Sequence, residues 1–226
     1  MIDEPPPFDR TGIPIEVGQH ICAMYFGVPD RDKVLLPFLA DGLANGDKCF
    51  AAMQEPDAGD LMSKLATLVG SEIDLPQSIA KQQLEIKTSN DQILSPDEFD
   101  PATIIEFWDA TVNSALTNGF DFVRLTGEAS WWLPQMPGID SLFQYESELN
   151  RFTTTHPQAI LCMYDLSQYN ESIVIDLLKT HPLVLISGLA LENPYYLTPD
   201  EYLATAGSGP MLSSLVQSKI EQVSRG

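Results

Sequence analysis

Basic residues are scarce in this chain. Twelve Lys and Arg stand against 32 Asp and Glu among 226 residues, a formal net charge of −20. Such a surface repels phosphate backbones and anionic membranes, so it argues against direct nucleic-acid binding by this domain and favours a basic partner or a neutral small ligand. No apolar run is long enough to span a bilayer, and the first 15 residues lack the pattern of a signal peptide. Cysteine is sparse too. Cys22, Cys49 and Cys162 are odd in number and sit in apolar surroundings, which excludes a disulfide framework and predicts reduced thiols in a cytoplasm.

Catalytic signatures are missing as well. There is no G-x-G-x-x-G and no G-x-S-x-G, so neither a dinucleotide fingerprint nor a nucleophile elbow is present. The loop after the first expected strand, GVPDRDKVL, stands where a phosphate loop would. It has one glycine, Lys33 is followed by Val34 and not Ser or Thr, and Asp30 and Asp32 repel a polyphosphate. Zinc-ligand spacings of the C-x-x-C or H-x-x-x-H kind are also lacking. No catalytic residue, metal or cofactor is expected on these grounds.

What is present is an alternation of strand and helix patterns. Strands are expected at residues 20–26, 48–53, 84–87, 120–125, 159–164, 183–186 and 189–191. Helices are expected at about 34–43, 58–68, 101–118, 139–154 and 172–180. This predicts an α/β domain whose mostly parallel sheet is flanked by helices. Residues 1–17, acidic and Pro-rich, read as a flexible lead. Residues 18–203 form the domain. Residues 204–210 read as a linker, and 211–223 carry apolar positions at helical spacing. That tail suits a connecting helix to an output module, a homodimer contact, or a helix packed back on the domain.

Four groups of residues offer chemistry. His20 and Cys22 are two apart on a strand and share a face, with Cys162 on another strand; buried thiols and a hydrogen-bonded core histidine are the simpler expectation, and a soft-metal site the sharper one. Glu55, Glu128 and Asp165 follow expected strands, so in a parallel sheet they converge on one edge, as a polar floor or as caps. Trp131 and Trp132 follow Glu128 and either line an apolar cavity or plug the sheet edge. His181, before Pro182 at a helix end, suits a C-terminal cap.

Taken together, several motifs resemble the MEDS sensory domain, a family named for methanogens, methylotrophs and a dichloromethane-responsive repressor. They are His20-Ile21-Cys22, Thr126-Gly127-Glu128 with Trp131, Tyr145-Glu146 with Asn150, Cys162 with Tyr164-Asp165, His181-Pro182, and Asn193-Pro194-Tyr195-Tyr196. The resemblance runs from about Gly18 to Leu203. It implies a RecA/KaiC-like fold with a degenerate phosphate loop, Glu55 at the ancestral place of a catalytic carboxylate, and sensing of small hydrocarbon derivatives. It also implies His20, Cys22, Glu128, Trp131, Glu146, Cys162, Tyr164, Asp165 and His181 as ligand-binding positions, with Trp132 tuning ligand choice.

The expectation is therefore a non-catalytic, cytoplasmic sensor of a small, largely apolar ligand, entering at the C-terminal edge of the sheet. It would signal to a regulatory protein or a fused output domain. The other reading is a protein-interaction module with a vestigial nucleotide site, in a kinase or anti-sigma type pathway. A metal- or nucleotide-dependent enzyme is the third.

Overall fold

The computed structural model describes residues 15–53, 57–88, 100–129, 139–169, 172–186 and 189–205. Among them, seven strands form one sheet in the order β3-β2-β4-β5-β1-β6-β7. The strands are β1 His20–Tyr25, β2 Lys48–Met53, β3 Leu84–Thr88, β4 Val123–Glu128, β5 Gln158–Asp165, β6 Leu183–Ile186 and β7 Leu189–Glu192. Every neighbouring pair is parallel except β6 with β7. β1, β2 and β5 are buried along their whole length. Strands covered on both faces by helices need apolar side chains in both directions, which explains the unbroken runs HICAMY and AILCMY.

Alternate residues of each strand feed two cores. On one face, Cys22, Met24, Cys162 and Tyr164 pack with helices α4 (Pro101–Thr117), α5 (Ile139–Phe152) and α6 (Ser172–Thr180). On the other, Ile21, Ala23, Tyr25, Leu161 and Met163 pack with α1 (Gly27–Asn45), α2 (Asp57–Val69) and α3 (Leu75–Ala80). A final helix, α7, spans Pro199–Thr205.

Several boundaries have local chemical causes. Asp100 and Asp74 accept the backbone N–H groups of Thr103 and Gln77, satisfying first-turn donors of α4 and α3. Gly46 ends α1 in the left-handed region, at φ 85°, and its loop returns directly into β2. The Thr198 backbone N–H and hydroxyl both reach Glu201, a reciprocal cap that starts α7.

The structure differs from expectation in four places. The segment GVPDRDKVL is not a loop: α1 starts at Gly27, with only Phe26 between it and the end of β1. Pro29 is tolerated because the first helical turn has no intrahelical use for its N–H. β4 lies three residues later than expected and runs through Thr126-Gly127 to Glu128. It is held there by β2 and β5, with Gly127 opposite Ala52 and Cys162. The short helices α3 and α7 are additional. The tail, residues 206–226, and Glu55, Trp131 and Trp132 lie outside the described residues.

Candidate functional site

The site residues expected from sequence fall on opposite faces of the sheet. His20, Cys22, Glu146, Cys162, Tyr164 and His181 lie on the α5/α6 face. Glu128 and Asp165 lie at the carboxyl ends of β4 and β5, turned toward α1. Trp131 is outside the described residues.

The first group forms a buried polar cluster. Parallel pairing of β1 with β5 sets Cys22 opposite Cys162, and one turn spacing on α5 sets Glu146 below Asn150. His20 Nδ1 meets Asn150 Oδ1 at 3.1 Å. The Asn150 amide nitrogen donates to the carbonyls of Thr180 (2.7 Å) and Glu146 (3.1 Å), which fixes Oδ1 as the acceptor and places the proton on His20 Nδ1. His20 Nε2 then faces Cys162 Sγ at 3.3 Å and Glu146 Oε2 at 3.2 Å. His181 Nδ1 donates to the carbonyl of Leu177 at 2.9 Å, closing the end of α6 as a cap, and its Nε2 lies 3.3 Å from the same Glu146 oxygen. The other Glu146 oxygen accepts the Tyr164 hydroxyl. The two imidazoles pack with centroids 4.2 Å apart.

Burial dominates the electrostatics here. It pushes the thiols of Cys22 and Cys162 and the Tyr164 hydroxyl well above their ordinary values, with the Glu146 charge adding to the effect. Burial, reinforced by the neighbouring His181, also lowers His20, although Glu146 and Asn150 pull the other way. Glu146 behaves oppositely. Desolvation would raise it, but the close approach of His181 and His20 outweighs that and holds its carboxyl well below the usual range. A charged carboxylate buried beside two imidazoles and a thiol has the composition of a cation site.

The second group closes the far edge of the sheet. Arg31, 1% exposed, reaches Glu128 Oε1 at 3.2 Å and Asp32 Oδ1 at 2.9 Å. Tyr25 donates to the same Glu128 oxygen at 3.1 Å, and Lys64 reaches Asp32 at 2.6 Å. Asp165 accepts from the backbone of Gly27 and of Ser167 and from the Ser167 hydroxyl, stapling the β1–α1 turn to the end of β5. Those bonds outweigh its partial burial and lower its pKa. Sequence reasoning did not single out Arg31 or Tyr25; a lone basic residue between Asp30 and Asp32 was the available signal.

A cavity of about 470 Å³ opens beyond this edge, lined mainly by Met24, Tyr25, Phe26, Leu166, Val174 and Ile186, with Asp30 and Lys33 at its rim. Phe26 is 64% exposed there.

This architecture is that of the RecA/KaiC-like proteins. The flagellar accessory protein FlaH from Methanocaldococcus jannaschii superposes with TM-score 0.57 at 12% identity, over 82% of this chain and 78% of that one. A KaiC-like protein from Pyrococcus horikoshii OT3 superposes with TM-score 0.53 at 12% identity, over 75% and 71%. Within that class, residues 19–182 match the model of the MEthanogen/methylotroph, DcmR Sensory domain, and the chain belongs to the MEDS family. The transcriptional repressor DcmR of Methylorubrum extorquens (strain DSM 6343 / CIP 106787 / DM4) is 27% identical over 173 residues, 76% of this chain. The chain matches 61% of that repressor's length. Family and relative together indicate a regulatory, sensory role. No helix among the described residues is long and apolar enough to cross a membrane.

Proposed function

We propose that this chain is a non-catalytic, cytoplasmic sensory domain that binds a small, largely apolar hydrocarbon derivative at the carboxyl edge of its sheet. The observation that carries the reading is the apolar cavity of about 470 Å³ at the end of β1. Ligands of open parallel sheets bind at that edge, and the volume lies in the range of small-molecule sites. A second void, beside Trp108 and Cys162, measures about 20 Å³ and is too small for an organic ligand.

The same edge argues against nucleotide chemistry. A phosphate loop needs exposed backbone N–H groups and an uncommitted cation. Here α1 starts directly after β1, the Gly27 N–H is bonded to Asp165, and Arg31 is engaged by Asp32 and Glu128. We read this as a degenerate phosphate loop.

Tyr25 both lines the cavity and donates to Glu128, so a ligand moving Tyr25 disturbs the Glu128–Arg31 pair. Glu128 ends the strand that leads into the Trp131 segment and α5. Asp165 holds the turn against which the ligand rests. The signal passes to a fused output domain or a regulatory protein, whose contact surface would be basic to suit the net charge of −20.

The test is a calorimetric titration with linear alcohols from methanol to octanol and with dichloromethane. Each methylene buried in the cavity contributes about 0.8 kcal/mol, so affinity is expected to rise about fourfold per carbon. A three-atom ligand is limited to about millimolar affinity, which sets the concentration range. Val174→Phe, which fills the cavity, should abolish the heat without unfolding the chain. Binding that ignores chain length and survives Val174→Phe would remove the pocket. Tight binding of Mg–ATP would restore the nucleotide reading.

A further inference from the structure

The cluster on the α5/α6 face has a property that the ligand-pocket reading leaves unused. Both histidines spend their Nδ1 protons on fixed acceptors, Asn150 Oδ1 and the Leu177 carbonyl. With each imidazole in the tautomer that keeps its proton on Nδ1, both Nε2 atoms carry lone pairs, and both point at Glu146 Oε2, another lone-pair bearer, from 3.2 and 3.3 Å. Neither His181 Nε2 nor Glu146 Oε2 has an aligned hydrogen bond, and both atoms are fully buried. Cys162 Sγ completes the group, and the four donor atoms lie within 4.8 Å of one another. Converging lone pairs repel unless a cation sits between them.

We propose that His20, Glu146, Cys162 and His181 form a buried tetrahedral site for a divalent metal ion of the zinc class, through Nε2, Oε2, Sγ and Nε2. The donor set is two imidazoles, one thiolate and one carboxylate, which suits zinc and disfavours magnesium or calcium. Three of the six spacings already fit, and the rest are within 4.8 Å. Zinc–nitrogen bonds of about 2.0–2.1 Å put neighbouring ligand atoms of a tetrahedron roughly 3.3 Å apart. The close approaches here are 3.2, 3.3 and 3.3 Å. Binding releases the thiol proton of Cys162 to solvent, and a dication then balances one thiolate and one carboxylate.

The surroundings are built as metal sites require. Asn150 and the Leu177 carbonyl orient the imidazoles through their far nitrogens, and Tyr164 donates to the carboxylate oxygen left over. The four protein ligands leave no open position, which makes the ion structural and not hydrolytic. It joins β1, α5, β5 and the α6–β6 turn, on the face of the sheet opposite Glu128. The proposal stands whether or not the edge cavity binds alcohols.

The experiment uses the full chain, reduced and stripped with chelator, then titrated with Co²⁺ and Zn²⁺ alone. One equivalent of Co²⁺ should give the intense visible bands of tetrahedral cobalt together with a sulfur-to-cobalt charge-transfer band. Zn²⁺ should displace it and raise Tm by about 5–10 °C at a hundredfold excess over Kd. Cys162→Ser should lose the charge-transfer band, while Cys49→Ala, in the other core, should keep it. Asn150→Ala should weaken metal affinity about 10–100-fold. If the folded wild type binds neither ion stoichiometrically and its Tm does not move, the site is held by protons and the proposal is wrong. A charge-transfer band that persists in Cys162→Ser would equally overturn the assignment. The first of these outcomes is read on the wild type alone, so a poorly folded variant does not obscure it.

Discussion

Arg31 shows how much a single side chain carries here. It is fully buried and holds two carboxylates, Asp32 and Glu128, against the end of the sheet. Arg31→Met would take the Arg31 countercharge from the buried Glu128 carboxylate, while Asp32 keeps Lys64, and urea unfolding should show a loss of about 3–5 kcal/mol. Adding Glu128→Gln should recover part of that loss, because the uncompensated charge and not the missing contact dominates the cost. Asp165 works through hydrogen bonds. Its folded pKa is lowered from 3.8, so its contribution is present above that value and disappears as pH falls through the folded pKa. Asp165→Ala should cost about 1–3 kcal/mol at neutral pH, and the wild-type and variant stabilities should converge in strong acid. Some of this was legible in the sequence. The two-residue spacing of His20 and Cys22 put them on one face, and the four-residue spacing of Glu146 and Asn150 does the same on a helix. The meeting of His20 with Cys162, 142 positions away, and of Arg31 with Glu128, 97 away, follows only from the strand order. Periodicity carries no information about which strands are neighbours.

Among the elements, α1 is the one the sequence misrepresents most. Its first two turns contain Gly27, Pro29, Asp30 and Asp32, residues that locally favour a loop. Tertiary contacts override them: Asp165 caps the turn, and Arg31 and Asp32 are drawn inward. At its other end α1 packs closely on β2 and β4. A Cβ on Gly42 would stand 2.6 Å from Cys49 Sγ and 2.7 Å from Arg124 Cδ. Arg124 cannot retreat, since it is bonded to Asp41 and Asp47 and stacked on Phe38. Gly42→Ala is therefore expected to destabilise by about 1–3 kcal/mol in denaturant unfolding, despite alanine's better helix propensity. Asn193 plays the comparable part for β7. Its amide donates to the carbonyls of His181 (2.7 Å) and Leu178, which ties the edge hairpin to the end of α6. Asn193→Ala should raise hydrogen exchange at Leu183–Ile186 and Leu189–Glu192 before it affects β5, because the loss is confined to that edge. The strands themselves were readable because buried parallel strands are short apolar runs. The three-residue displacement of β4 was not, since Thr126-Gly127 looks like a turn until β2 and β5 pair across it.

At the scale of the whole molecule, the fold is RecA/KaiC-like, while its carboxyl edge is closed by ion pairs and its α5/α6 face holds a buried polar cluster. The surplus of acidic residues adds self-repulsion to the folded state, so added NaCl should raise Tm toward physiological ionic strength. On the proposed function a small apolar ligand, and not a nucleotide, binds where β1 ends. Amide chemical shifts of isotopically labelled protein during a hexanol titration test it most directly. Saturable shifts are expected to begin at Met24, Phe26, Leu166, Val174 and Ile186 and extend to Glu128, with none for Mg–ATP. Shifts scattered over the surface without saturation, or a nucleotide response around Gly27, would contradict it.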